Sequence, residues 1–374
     1  MNAPDPREGM RPLERGLLGL LRAPRAAGAP DLRGARILAV QIAGMGDLLL
    51  AAPAIRALRR GLPETRVDLL TSRRGGRVAE GCPYLDEVFA FDFRSPPSAS
   101  PATDWGGLLS AVREIRRRRY AIAVNLIGLY SAKGALRMGL LLRALGIPLL
   151  AGRDTRGAGT FYHHALEETL EAPLNERDAN LALVRLLGAP DEKDGALELW
   201  PGPEEERRAD MLASAPSGAG PLVGVNPGSD RPEKVWPEER FMEVMGALRR
   251  EREARFLLTG GPAEAALTAR MAEALGPSAV DTVGRIGFQG TGALMRRMDL
   301  FLTCDTAALH LAWAAGTPAV ALFKAENLGR YRPETARIEC LTGGESAPGA
   351  PLEIPAREVL RACRARLEAG REGD

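Results

Sequence analysis

Two Rossmann-like units, each an α/β doubly wound parallel sheet, are what this sequence predicts, and three observations lead there. The first is size: 374 residues exceed one ordinary domain, and a composition 45% apolar and 26% charged supplies enough side chain for two cores. The second is order. Short apolar runs alternate with longer segments of helical spacing, which is the grammar of a parallel sheet with crossover helices. The third is the placing of glycine, which follows several of the apolar runs directly, where open α/β sheets hold their ligands.

Taken in order, residues 1–34 read as a flexible basic leader with one short amphipathic helix near 13–22. An N-terminal unit is expected over 35–200. It opens with a buried strand at 36–42 (RILAVQI), the turn Gly44-Met45-Gly46-Asp47 and a helix at 48–60. Strands follow at 67–71, 88–91, 121–127 and 149–151. Helices are expected at 76–80, 108–119, 133–145 and 175–187, with a Pro/Ser loop at 95–103. Residues 201–221 read as a linker, opening in an acidic helix at 204–212 and closing on the polar run Ala-Pro-Ser-Gly-Ala-Gly-Pro. The C-terminal unit, 222–374, repeats the pattern, with strands at 222–226, 256–259, 300–303 and 319–323. Its helices are expected at 237–251, 262–275, 291–297 and 307–315, with a final one at 355–369 that starts at Pro355 and is closed by Gly370.

Composition removes several function classes. The four cysteines (Cys82, Cys304, Cys340, Cys363) are scattered without a C-x-x-C pair beside only three histidines, so no zinc site is legible and a reducing compartment is expected. The apolar run at 16–21 is too short for a signal core, and 138–150 is broken by Arg143 and Pro148, so a cytoplasmic protein is expected. Charge is uneven. Residues 1–160 carry 25 Lys+Arg against 14 Asp+Glu, and residues 161–374 carry 25 against 34, so the front half suits an anionic partner. Nucleic acid is disfavoured: the run Arg116 to Arg119 ends a helix, where cations suit the dipole, and no interleaved aromatics follow.

Four clusters carry chemistry. In Gly44-Met45-Gly46-Asp47 the glycines allow a tight turn and a close ligand, while Leu49 and Thr71-Ser72 stand where a dinucleotide fingerprint needs a small residue and an acid. That leaves the carboxylate of Asp47 at the sheet's carboxyl edge, either as a functional group or as a helix cap. In Asn226-Pro227-Gly228-Ser229 followed by Lys234-Val235-Trp236-Pro237, exposed N–H groups, a hydroxyl and a mobile cation suit a phosphate, with Trp236 as a packing anchor and no Walker loop. Gly260-Gly261-Pro262-Ala263-Glu264 permits close approach, and Glu264 serves either ribose hydroxyls or the helix dipole. In Asp305-Thr306-Ala307 a strand ends at a helix start, with His310 five residues beyond the aspartate. Asp305 can grip a phosphate or sugar hydroxyl there or act as an N-cap, and a lone His310 is ordinarily a core residue.

In this order the clusters resemble glycosyltransferase family 9, the ADP-heptose:lipopolysaccharide heptosyltransferases. The resemblance spans roughly residues 36–370 and includes Pro53 and the stretch Pro83-Tyr84-Leu85-Asp86-Glu87-Val88. It implies a GT-B fold, with an acceptor-binding N-terminal unit and a donor-binding C-terminal unit facing across a cleft, and inverting transfer. It further implies Asp47 as general base on the acceptor-side loop of Gly44, Met45 and Gly46. Lys234 then has a catalytic role and holds the donor diphosphate with Gly228 and Ser229. Gly260, Gly261 and Glu264 take the nucleoside. Asp305, Thr306 and Ala307 hold donor sugar and phosphates, and His310 supports that loop. The sequence departs from the family pattern at Thr306-Ala307, where Ser/Thr-Gly is common, and at Phe323-Lys324-Ala325, where Phe-Gly-Pro is common.

The implied partners are a nucleotide sugar, an anionic glycolipid or saccharide acceptor, and peripheral contact with the inner face of the cytoplasmic membrane. Neither metal nor cofactor is expected, since no D-x-D pair stands in a diphosphate position. Two alternatives stay open: a GT-B transferase using another nucleotide sugar for surface polysaccharide or small-molecule glycosylation, and a non-catalytic nucleotide-binding protein.

Overall fold

The chain, seen in a computed structural model, is described over residues 12–62, 64–91, 105–169, 174–192, 195–343 and 352–371. It divides into two compact units, Met1–Ala196 and Leu197–Asp374.

The first unit runs α1 (Pro12–Leu20), β1 (Arg36–Gln41), α2 (Met45–Gly61), β2 (Arg66–Ser72), α3 (Arg73–Ala79), β3 (Glu87–Phe91), α4 (Trp105–Arg117), β4 (Ile122–Asn125), α5 (Ala132–Leu145), β5 (Leu149–Thr155), β6 (His164–Glu168) and α6 (Glu176–Arg185). Its sheet has the order β3-β2-β1-β4-β5-β6, and every neighbouring pair is parallel. Helices on both faces explain why β1 is a continuous apolar run instead of an alternating one. Ile37 pairs with Val67 on one side and Ile122 on the other, and everything from Ile37 to Gln41 is buried. On one face α4 and α5 contribute Ile115, Met138, Leu142 and Leu145 to the core. On the other, α2 packs against α6 and α3 and is buried along most of its length, with Pro53 inside it.

The expected leader is different in the structure. Residues 1–11 lie outside the described part, but from Pro12 onward the chain packs on the first unit: Leu18, Ala23 and Leu32 are buried. Ala23 N–H donates to the Thr160 carbonyl (3.0 Å) and Ala26 N–H to that of His163 (2.9 Å), while Arg25 pairs with Asp154. Three apolar side chains spaced over fifteen residues anchor a segment whose composition alone looks loose. The Pro/Ser loop expected at 95–103 lies outside the described residues.

A buried polar cluster ties β5, β6 and α6 together. Arg153, fully buried, pairs with Glu168 and Glu176 at 2.5 Å each and donates to the Tyr130 hydroxyl at 2.6 Å. Burial opposes the guanidinium charge, but Glu176, Tyr130 and Glu168 outweigh it and hold the pKa above the ordinary arginine value. Deleting one partner strands the other charges away from water. Arg153→Met is therefore expected to lose about 3–5 kcal/mol of unfolding free energy, read as a fall in the urea midpoint.

The second unit runs α7 (Pro203–Ala213), β7 (Leu222–Asn226), α8 (Glu238–Arg252), β8 (Arg255–Leu258), α9 (Ala265–Leu275), β9 (Ala279–Asp281), α10 (Phe288–Met295), β10 (Leu300–Cys304), α11 (Ala307–Ala315), β11 (Ala319–Phe323), α12 (Ala325–Tyr331), β12 (Ile338–Thr342) and α13 (Ala356–Arg371). Its parallel sheet, β12-β11-β10-β7-β8-β9, repeats the order of the first. Trp236 is fully buried, donates its indole N–H to the Ile354 carbonyl (2.9 Å) and meets Phe241 edge-on at 4.8 Å, so it is the packing anchor expected of it. The expected linker opens in α7, which belongs to this unit: Ala209 and Leu212 are buried against α10, and Glu206 and Asp210 pair with Arg297. All four cysteines are free thiols. Among the described residues, no helix is long and apolar enough to cross a membrane.

Candidate active site

In each sheet the first strand sits beside the point where the order reverses, β1 next to β4 and β7 next to β10. There the crossovers leave in opposite directions and open a crevice at the carboxyl edge. The expected site residues fall in two groups, one per unit, at these two edges.

In the first unit Gly44 is the N-cap of α2, so Met45, Gly46 and Asp47 form its first turn. Asp47, half-buried, accepts the Gly44 N–H at 2.9 Å. The capping reading of this carboxylate is thus realised, and an acid in the first turn also suits the helix dipole. Gln41 organises the turn and was missed from the sequence. Its amide donates to the Leu126 carbonyl (3.0 Å) and accepts the Ala43 N–H (3.1 Å), while the Thr71 hydroxyl donates to its carbonyl (2.6 Å). The signal was present: a polar side chain ends an otherwise apolar strand immediately before a glycine turn.

In the second unit three loops meet at the carboxyl ends of the adjacent strands β10, β7 and β8. Register places Thr303 opposite Asn226, so the residues after Cys304 run beside those after Asn226. Lys234, at the end of the 3-10 turn Pro232–Lys234, places its ammonium 2.5 Å from the Asp305 carboxylate and 3.4 Å from that residue's carbonyl. The two side chains are 13% and 4% exposed, so this is a nearly dry ion pair. The Tyr331 ring lies 5.8 Å from the same ammonium and 6.3 Å from the ring of buried His310 on α11. Tyr331 escaped sequence reading because α12 was not expected there. The N-cap of α11 is Thr306, not Asp305, and its hydroxyl makes no capping bond. Asp305 is instead the counter-ion of Lys234. Ala307 is the first residue of α11, so Thr306 and Ala307 do open a helix.

Glu264 links the other two loops. Its carboxylate accepts the Gly261 N–H at 2.8 Å, and its side chain lies so close over Gly228 that a Cβ there would stand 2.1 Å from Glu264 Cγ. Gly260 is crowded in the same way, a Cβ falling 2.9 Å from that of Glu264. Glycine at 228 is therefore a packing requirement as well as an opening to a ligand. The Ser229 hydroxyl accepts the Arg231 N–H at 3.2 Å, tightening the turn before Lys234. Burial pushes the Cys304 thiol up to about 12, so the sulfur next to this cluster stays protonated at neutral pH. The arrangement combines a cation, its carboxylate partner and a helix N-terminus at one sheet edge, which is chemistry suited to a phosphorylated ligand.

Comparison with known proteins points the same way. A heptosyltransferase from Escherichia coli K12, lipopolysaccharide heptosyltransferase 3, is 26% identical over 301 residues, covering 78% of this chain and 83% of the relative. A glycosyl transferase family 9 structure from Veillonella parvula superposes with a TM-score of 0.74 at 22% identity, over 92% of this chain and 100% of the other. An E. coli heptosyltransferase solved with ADP gives 0.66 at 17% identity, over 88% and 99%. The two six-stranded parallel units are therefore those of the GT-B fold. The model of glycosyltransferase family 9 (heptosyltransferase) matches residues 108–356. That match takes in β4 to the start of α13 and every expected residue of the second unit, and with it this chain belongs to glycosyltransferase family 9.

Proposed function

We propose that the protein is an inverting glycosyltransferase that moves heptose from ADP-heptose to a hydroxyl of a lipopolysaccharide core acceptor. The Lys234–Asp305 pair among the three loops of the second unit is the observation that carries this reading. The donor assignment is supported by relatives whose names specify ADP-heptose or lipopolysaccharide heptosyl transfer, and by one solved with ADP. The positive balance of residues 1–160 supports an anionic acceptor.

In this reading Asp47 takes the proton from the acceptor hydroxyl as its oxygen bonds to the anomeric carbon. The bond from that carbon to the diphosphate breaks, and ADP leaves with the electron pair from the opposite face, so configuration inverts. Lys234 and the N–H groups opening α11 stabilise the charge that gathers on the diphosphate. Asp305 holds the ammonium in place before the donor arrives and then shares it. Gly228 and Ser229 line the diphosphate, Gly260, Gly261 and Glu264 the nucleoside, Thr306 and Ala307 the donor sugar, and His310 with Tyr331 backs the Lys234 loop. Leaving-group charge is met by these groups, with no metal or cofactor assigned a role.

A thermal-shift panel of ADP-, UDP- and GDP-sugars tests the donor. Binding raises stability by about 2.7 kcal/mol at a hundredfold excess over Kd, so ADP-heptose is expected to raise the melting midpoint clearly and the other nucleotides little. A larger shift with a UDP- or GDP-sugar would reassign the donor.

A further inference from the structure

We infer that Gln41 is a positioning residue for the transfer step, its buried amide fixing the peptide on which the Asp47 carboxylate rests; the inference deepens the proposed role of Asp47 and rests on it. Gln41 closes β1 and is only 2% exposed, whereas Gly44 is exposed and Asp47 half-buried. The amide therefore lies beneath the turn, and any effect it has on transfer passes through its neighbours. Both ends of that amide are used: Nε2 donates to the Leu126 carbonyl in the loop after β4, and Oε1 accepts the Ala43 N–H. The anchor is itself held. Leu126 N–H donates to the Val40 carbonyl at 3.0 Å, and the fully buried Asn125 donates its amide to the Ile127 carbonyl at 2.9 Å and to the Tyr162 hydroxyl at 2.7 Å. On the other flank the Thr71 hydroxyl of β2 reaches the Gln41 carbonyl, so one residue joins the ends of β2, β1 and β4 at the point where the strand order reverses.

What the amide holds is the seat of the proposed base. Ala43 and Gly44 present consecutive N–H groups, the first donating to Gln41 and the second to Asp47. The carboxylate sits so close that a Cβ on Gly44 would stand 2.9 Å from its oxygen. A turn of the Ala43–Gly44 peptide must therefore carry the carboxylate with it. Misplacing a reacting group by about 1 Å can cost 10²-fold in rate, so the two bonds of a side chain that never meets the substrate bear on kcat. An apolar side chain at 41 removes the acceptor of the Ala43 N–H and the tie to β4 together, and the peptide is then free to seek another partner.

A double-mutant cycle on the full chain tests this, with turnover measured at saturating donor and acceptor and normalised to the donor-binding fraction so that unfolded protein is not counted. Gln41→Met, of similar length but without the amide, is expected to lower kcat by roughly 10- to 10²-fold with donor affinity unchanged. Gln41→Asn keeps an amide on a stem one carbon shorter and is expected to fall between Gln41→Met and wild type, and it serves where the methionine variant folds poorly. In an Asp47→Asn background the same changes at 41 are expected to add no further loss, because a residue that acts through Asp47 has nothing left to position. Arg153→Met, destabilised in the same unit but far along the chain from the turn, is expected to keep near wild-type kcat per donor-binding molecule. Hydrogen exchange of the backbone at 43–47 is expected to quicken in Gln41→Met. Wild-type kcat in Gln41→Met, an equal loss in both Asp47 backgrounds, a matching loss in Arg153→Met, or unchanged exchange at 43–47 would overturn the positioning role and leave Asp47 as the base. No transfer by the wild type, or near wild-type turnover in Asp47→Asn alone, removes the base and the positioning role together.

Discussion

Asp47→Asn is expected to lower turnover by about 10²–10⁴ while leaving nucleotide affinity unchanged. The substitution separates the two things this side chain can do. Asn keeps an oxygen that accepts the Gly44 N–H, so the start of α2 is retained, and the lost charge at the helix N-terminus costs only about 0.3–1 kcal/mol. What Asn cannot do is take a proton. A variant that melts close to wild type, binds donor and fails to transfer identifies Asp47 as the base. A variant that keeps near wild-type turnover on a true acceptor reduces Asp47 to a cap. Asp47→Ala removes both contributions and should add a small stability loss to the same rate loss.

Lys234→Ala is expected to weaken donor binding and to lower turnover at saturating donor by about 10²–10³. It carries a second consequence that Asp47 variants lack. Asp305, with a side chain only 4% exposed, loses its counter-ion. The stability cost approaches the roughly 3–5 kcal/mol seen when one member of a buried pair is removed, reduced because the lysine itself is partly wet. Donor should restore less of that stability than it adds to wild type, since the diphosphate brings more negative charge to a site without its cation. Full turnover at saturating donor in a destabilised Lys234→Ala would mean that the pair holds the loops together and does nothing to the leaving group.

The central strands were legible because a parallel sheet covered on both faces demands uninterrupted apolar runs, as in RILAVQ of β1 and LVGVN of β7. Edge strands lack that demand. Beta-6 (HALEE), β9 (AVD) and β12 (IECLT) are short and half-polar, and none of the three was expected. Alpha-7 read as linker because its contact with α10 rests on few apolar side chains and on Arg297 ion pairs 87 to 91 residues away. The site divides along the same line. Glycine turns before helices announce themselves locally, which exposed Asp47, Gly228 and Gly260, and a strand running straight into a helix start exposed Thr306. The Lys234–Asp305 bond spans 71 residues and depends on β7 lying beside β10, a fact of topology that no local pattern encodes. Glu264 could not be resolved from its sequence neighbourhood either, because its contact with Gly228 crosses from the loop after β8 to the loop after β7.

The most direct test is to incubate the full chain with ADP-heptose and a lipopolysaccharide core acceptor and to weigh the acceptor by mass spectrometry. A gain of one heptose with wild-type protein, and none with Asp47→Asn at equal donor occupancy, is the expected result. Donor binding without transfer, across acceptors and across the nucleotide-sugar panel, would contradict the account and leave a nucleotide-binding protein with the fold of a transferase.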